Sequence, residues 1–195
     1  MDISKAIKKE RNDYRKFKAI MIIIFVLLPI VTLFLGMTDL FYVIYLILLE
    51  VMIILSLIIR SNWERLEYSC SYNRFKYKAG LFSSEGLIFC DKVALVHTEK
   101  RGEEMNVIVV SSVNFKNKYF KLVDGNILKR YPDFAEEYLK VKKLNPENTY
   151  YYLFIRKGSL KKYMLLDTIF KNCVKAAFSS NAIENIKISR GQKEL

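Results

Sequence analysis

Hydrophobic positions follow two regimes along this chain. From Ala19 to Ile59 they run almost unbroken: no Lys, Arg or His occurs, and Asp39 and Glu50 are the only charged residues. After Trp63 they fall into short segments divided by turn residues. The first regime predicts two helices, 19–37 and 40–59. At ~1.5 Å per residue each is roughly 28–30 Å long, which matches the hydrocarbon core of a bilayer. A backbone in hydrocarbon must satisfy its own polar groups, so apolar runs of this length are helical. Gly36-Met37-Thr38-Asp39 leaves room only for a tight turn, and the two helices are expected as an antiparallel transmembrane hairpin. The competing reading, a signal peptide followed by a core helix, requires a shorter apolar core and a small-residue cleavage site.

Lys and Arg set the orientation. Lys5, Lys8, Lys9, Arg11, Arg15, Lys16 and Lys18 precede the first span; Arg60, Arg65 and Arg74 follow the second; the connecting turn has none. The positive-inside rule then places both termini in the cytoplasm of a two-pass cell-membrane protein. Tyr42 and Tyr45 fall near the outer interface, Tyr14 and Trp63 near the inner one, where amphipathic rings settle. Segment 1–18 reads as a basic cytoplasmic flank, with Ile3, Ala6 and Ile7 able to dip into the headgroups.

Two intramembrane residues break the pattern. A carboxylate at the depth of Glu50 costs about 2.5–3.5 kcal/mol or more, so a protonated or paired state is expected. Pro29 frees the carbonyl of Phe25. In a hairpin turning near residue 38, depth-matched residues sum to about 77, which sets Glu50 within a turn of Phe25. Three readings stand: a hydrogen bond from Glu50 to that carbonyl region, contact with a partner subunit or second membrane protein, or ion traffic.

The second regime, 62–195, predicts one domain. Leu66–Tyr72, Phe75–Tyr77, Gly86–Cys90 with Val93–His97, Val107–Val113 and Tyr119–Val123 read as an antiparallel meander, with a turn at Arg101–Glu104. Pro132–Leu144 reads as a helix, acidic at its start and basic at its end. Tyr150–Ile155 and Leu160–Leu165 are expected to pair around Lys157-Gly158-Ser159. Asp167 is expected to cap a last amphipathic helix whose apolar face is Leu166, Ile169, Phe170, Cys173, Val174 and Ala177. Ser179–Asn181 breaks it, and the remaining tail is expected to fray or to add Ile183–Ile188 as a short strand.

The expected fold class is therefore α+β. About seven antiparallel strands closed by a C-terminal helix is the order of a pleckstrin-homology-like barrel. The segment from Leu66 to Val96 carries Phe75-Lys76-Tyr77-Lys78-Ala79-Gly80-Leu81-Phe82 and Phe89-Cys90-Asp91-Lys92-Val93-Ala94-Leu95-Val96. It resembles the start of bacterial PH-like domains, and the paired-helix anchor before it resembles the YcxB-like and bacterial PH membrane proteins. That resemblance implies an interaction module rather than a reaction.

Composition adds little chemistry. No GxGxxG, P-loop or HExxH occurs, and no catalytic, cofactor-binding or metal-binding residue and no cofactor is expected. His97 is the sole histidine and reads as structural. Cys70, Cys90 and Cys173 are widely spaced, and their odd number argues against a disulfide framework. The net charge of +12 suits a domain beside an anionic leaflet, where each nearby Lys or Arg adds about 1 kcal/mol of attraction. Arg74, Lys76 and Lys78 recur at spacing two on one strand face, and Arg156, Lys157, Lys161 and Lys162 flank Gly158. These are candidate contacts for an anionic lipid or an acidic partner; in PH-like barrels, the resemblance implies, such residues grip lipid phosphates.

The expected function is a non-enzymatic, membrane-anchored interaction, scaffold or regulatory protein. The alternatives are an anionic-lipid-sensing module and an accessory subunit of a membrane transport or secretion assembly. The expected partners are the bilayer and a membrane protein or second copy, with no nucleic acid and no small-molecule substrate.

Overall fold

The computed structural model describes residues 3–36, 39–101, 104–115 and 119–194. Two helices long and apolar enough to cross a bilayer open the chain, α1 (Ile3–Phe34) and α2 (Leu40–Glu64), with their apolar windows unburied. Met37 and Thr38 of the intervening turn lie outside the described residues. Leu28 and Leu49, and Thr32 and Tyr45, line one apolar concavity between the helices, so both pairs obey the depth sum of 77.

The α1 helix departs from expectation. Its 32 residues form one helix, about 48 Å long at ~1.5 Å per residue and well beyond a hydrocarbon core. The first turns do not lie among headgroups. Ile3 and Ala6 are buried, and Ile3 and Ile7 join the core of the following domain. Full burial of an aliphatic side chain is worth about 1.5–3 kcal/mol, more than partial immersion in an interface returns. The Glu10 carboxylate accepts the Leu160 N–H at 3.3 Å, a second tie.

The α2 helix is joined to β1 (Leu66–Ser71) through Arg65 alone. β1, β2 (Arg74–Ala79) and β3 (Gly86–Phe89) form one antiparallel sheet in that order. Tyr72 and Asn73 have φ of 49° and 65°, the positive values that a two-residue hairpin turn needs. A 3-10 turn at Cys90–Lys92 then redirects the chain, so the expected single meander is two sheets. The second contains β4 (Val93–Arg101), β5 (Glu104–Ser111), β6 (Lys121–Leu122), β7 (Tyr151–Ile155) and β8 (Ala177–Phe178), in the order β6-β7-β5-β4-β8. Its pairs are antiparallel except β4 with β8. Gly102 and Glu103 of the expected β4–β5 turn lie outside the described residues.

β5 explains the layering. Val107 and Val109 pack into one core with both sheets, and Ile108 and Val110 into another. A strand buried on both faces reads as an unbroken apolar run, as Val107–Val110 does. The second face is covered by α3 (Gly125–Arg130) and α4 (Pro132–Leu144), which buries Phe134 and Tyr138 against Leu95 and Tyr150.

Three C-terminal expectations are corrected. Leu160–Leu165 is not a strand: Gly158 at φ 109° and Ser159 at φ 43° turn the chain straight into α5 (Lys161–Asn172). Asp167 therefore lies inside that helix rather than at its cap, while Val174 is exposed and Ala177 belongs to β8. The tail does not fray. Ser179 caps α6 (Ser180–Ser189), its Oγ accepting the Ala182 N–H at 3.2 Å, and Ala182, Ile186 and Ile188 are buried. Ser-Ser-Asn is a helix-starting signal as much as a helix-ending one. Cys90 and Cys173 form a disulfide, against the expectation drawn from their odd number; Cys70 remains free.

Candidate functional site

The loop that follows β7 fixes the joint between the apolar hairpin and the domain. Gly158 donates its N–H to the Trp63 carbonyl at 2.9 Å and Gly80 donates to Arg65 at 2.8 Å, so carbonyls at the α2 terminus are satisfied by the domain. Asn62 Oδ1 accepts both the Leu81 N–H at 2.9 Å and Lys157 Nζ at 3.1 Å. Asn62 stands three positions past Ile59, where the apolar run ends.

Beside this joint lies a cleft of about 830 Å³ between β2, the loop before β3, the β6 segment, α3 and β7. Arg156 and Lys157 line one side, and Lys121 and Arg130 enter from β6 and α3. Arg156 lies 4.8 Å from the Phe154 ring centroid, a cation–π contact that holds its guanidinium. Phe82, Tyr119, Tyr131 and Tyr152 supply aromatic walls. Ser83 Oγ and the Ser84 N–H both donate to Tyr119 Oη, at 3.0 and 3.3 Å, and lower its phenol below the ordinary value. Burial, then the Asp124 charge, raises that of Tyr152. Among the described residues Asp124 is the only carboxylate lining the cleft, and it is used as the α3 cap: its Oδ1 accepts the Ile127 N–H at 3.1 Å. The floor includes Tyr77, which lies across its register partner Gly86; a Cβ there would come within 2.4 Å of the ring.

The structure divides the basic residues singled out in the sequence. Only Arg156 and Lys157 reach this cleft. Arg74 and Lys76 are exposed on the opposite strand face from buried Phe75 and Tyr77, beside a separate concavity with the exposed Tyr72. Arg74 lies 5.8 Å from the Phe89 ring centroid, and Lys76 pairs with Glu85 at 3.3 Å. Lys78 is half-buried opposite Glu67. Lys161 borders a smaller hollow with Glu10, Glu64 and Tyr14. Lys162 leaves the surface set: it is 1% exposed and Nζ donates to the Arg156 carbonyl at 2.6 Å. Lys121 and Arg130 carried no periodic signal; the exposed–buried–exposed alternation of Tyr119, Phe120 and Lys121 is the one trace available.

His97 is buried in a polar chain. Its Nδ1 is 3.0 Å from Ser179 Oγ and its Nε2 is 3.2 Å from Glu99 Oε2. Nucleophilic catalysis uses similar residue types, but Ser179 is 1% exposed and is occupied in capping α6. This chain ties α6 to β4. Within the hairpin, Glu50, Pro29 and Phe25 are all half-buried. Among the described residues Glu50 makes no hydrogen bond or ion pair, so the expected bond to the Phe25 carbonyl is not formed. Thr32 Oγ1 instead donates to the Leu28 and Pro29 carbonyls, at 3.1 and 2.9 Å. No family model, curated protein or solved structure matches this chain.

Proposed function

We propose that this chain is a membrane-anchored, non-enzymatic interaction module that scaffolds or regulates a membrane assembly, with a PH-like domain on the cytoplasmic face. The observation that carries this reading is the double attachment: α1 begins inside the domain core and the end of α2 is capped by the Gly158 loop. A flexible linker would let the domain tumble; two helices seated in it hold one chosen face at the membrane surface. The Lys and Arg bias supports the cytoplasmic side. An antiparallel three-stranded sheet followed by a second, mainly antiparallel sheet supports the PH-like reading. Full-length tagged protein is recovered from native membranes in mild detergent, beside a variant with Ile3→Asp, which unseats α1. A stoichiometric membrane protein is expected with wild type and is lost or depleted with the variant. A single species from wild type, with turnover of any substrate, would defeat the reading.

A further inference from the structure

We infer that the cleft between β2 and β7 binds a nucleotide, its base against the aromatic walls and its phosphate on the basic residues. This goes beyond the interaction module proposed above and does not rest on it. Wall composition is the first argument. Among the described residues, six of the sixteen that line the cleft are aromatic, against 14% of the whole chain. They come from two sides. Tyr119 accepts from Ser83 and Ser84, which ties its ring to the loop that carries Phe82. Tyr131 and Tyr152 each meet the Phe154 ring, at 5.4 and 5.6 Å between centroids. Phe82 is 77% exposed, so ring surface in this concavity is left to water. Every nucleobase has a π-face that stacks on such rings. A glycerol-type lipid headgroup would meet the cations but has no ring to lay on these walls. Charge is the second argument. Lys121, Arg130, Arg156 and Lys157 line the cleft against the one carboxylate, already bound to the α3 backbone. Arg156 lies over the Phe154 ring at 4.8 Å, and a guanidinium held by its face keeps its edge donors for phosphate oxygens. Polar reading is the third. Asn126 Nδ2 donates to Asp124 Oδ2 at 3.4 Å, which sets the plane of an amide able to donate to and accept from a base edge. The volume of about 830 Å³ lies within the range of ligand sites and leaves room for base, ribose and phosphate together. A ligand of this class is not among the partners expected from the sequence, because separate stretches of chain assemble the cleft.

Full-length protein in neutral detergent is titrated with the mononucleotides AMP, GMP, CMP and UMP, with their nucleosides, with ribose 5-phosphate and with dihexanoyl phosphatidylglycerol. Binding is read by isothermal titration calorimetry and by native mass spectrometry. At least one nucleotide is expected to bind about tenfold or more tighter than ribose 5-phosphate, its own nucleoside and the lipid. Tyr131→Leu with Tyr152→Leu should bring that nucleotide to within about threefold of ribose 5-phosphate, whose own binding is unchanged. Arg130→Gln with Arg156→Gln should weaken the nucleotide and ribose 5-phosphate alike, by about tenfold or more. Arg74→Gln with Lys76→Gln, on the other strand face, should change neither by more than about twofold. Melting curves identify a misfolded variant. If the tyrosine pair misfolds, Phe82→Ala, at an exposed position, decides: it should weaken the nucleotide about fivefold and ribose 5-phosphate not at all. Nucleotides binding no tighter than ribose 5-phosphate, or a margin that the aromatic variants leave intact, would overturn the inference. Phosphatidylglycerol binding as tightly as the best nucleotide would overturn it in favour of a membrane ligand. None of these outcomes depends on whether a membrane protein is recruited.

Discussion

Gly158 is the position at which the joint between hairpin and domain is most sharply testable. Its φ of 109° lies where L-residues are rarely found. Its N–H caps α2 through the Trp63 carbonyl at 2.9 Å. A Cβ on Gly158 would lie 2.5, 2.6 and 2.9 Å from Leu66 Cδ2, Cβ and Cγ. Leu66 is 5% exposed and opens β1, so it has little room to withdraw. Gly158→Ala therefore combines backbone strain of about 1–3 kcal/mol with overpacking of a similar size. We expect a net loss of about 3 kcal/mol, a fall of roughly 10 °C in the melting of a domain this size. The assay is thermal unfolding of the full-length protein in detergent, read by Trp63 fluorescence. Gly125→Ala is the control, since a Cβ there has no atom within 4 Å and Ala favours the helix. A Gly158→Ala protein melting within about 2 °C of wild type would refute the claim that this loop locks the joint.

Asp167 accepts from Arg190 Nε at 2.7 Å and pairs with Lys171, clamping α5 to α6. Burial alone would raise its carboxyl, but these two cations hold it below the usual 3.8. Its contribution is thus present above the unfolded-state value and lost as pH falls through the folded one. Asp167→Asn should cost about 1–2 kcal/mol at pH 7, after discounting for the exposed lysine, and progressively less as pH falls below 3.8, by urea midpoints across that range. Glu50→Leu removes an insertion cost of about 2.5–3.5 kcal/mol and should leave the hairpin equally or more heat-resistant in detergent; a lowered midpoint would mean that Glu50 has a partner. Ile3→Asp should cost about 2–3 kcal/mol locally and speed tryptic cleavage at Lys5, Lys8 and Lys9, visible by intact mass.

The sequence is most legible where one physical demand dominates. Hydrocarbon admits few alternatives for Ala19–Ile59, and α4 begins and ends at Pro132 and Leu144 as its charge pattern requires. It is least legible where a pattern serves two structures equally. Ile3, Ala6 and Ile7 form an apolar stripe that suits headgroups or a protein core, and the core captured it. Ser179-Ser180-Asn181 ends one helix or starts another, and the buried Ala182 and Ile186 decide for the start. The cleft is legible only in part because its four cations come from three separate stretches of chain, in three different elements or loops: residue 121, residue 130 and residues 156–157. No local periodicity joins them. The buried Lys162 misleads for the opposite reason: its neighbours in sequence are surface residues, while its ammonium turns inward to a carbonyl.

The disulfide and the charge bias pull in different directions, and their reconciliation is itself testable. Seven basic residues before the first span favour a cytoplasmic domain, whereas disulfides persist mainly in oxidising compartments. Exchange, however, requires a thiolate to reach a sulfur, and Cys90 and Cys173 are each 1% exposed. Once formed, the bond is shielded by the fold from soluble thiols whichever side the domain occupies. It closes a separation of 83 residues, worth about 4.5 kcal/mol in chain entropy. We therefore expect the native protein to keep it under mild glutathione and to lose it once unfolded in urea. Alkylation followed by intact mass reads this directly. One label, on Cys70, is expected from native protein, slowly because burial pushes that thiol up. Three are expected after unfolding with reductant. Three labels on the folded protein under mild glutathione would show that the fold does not shield the pair.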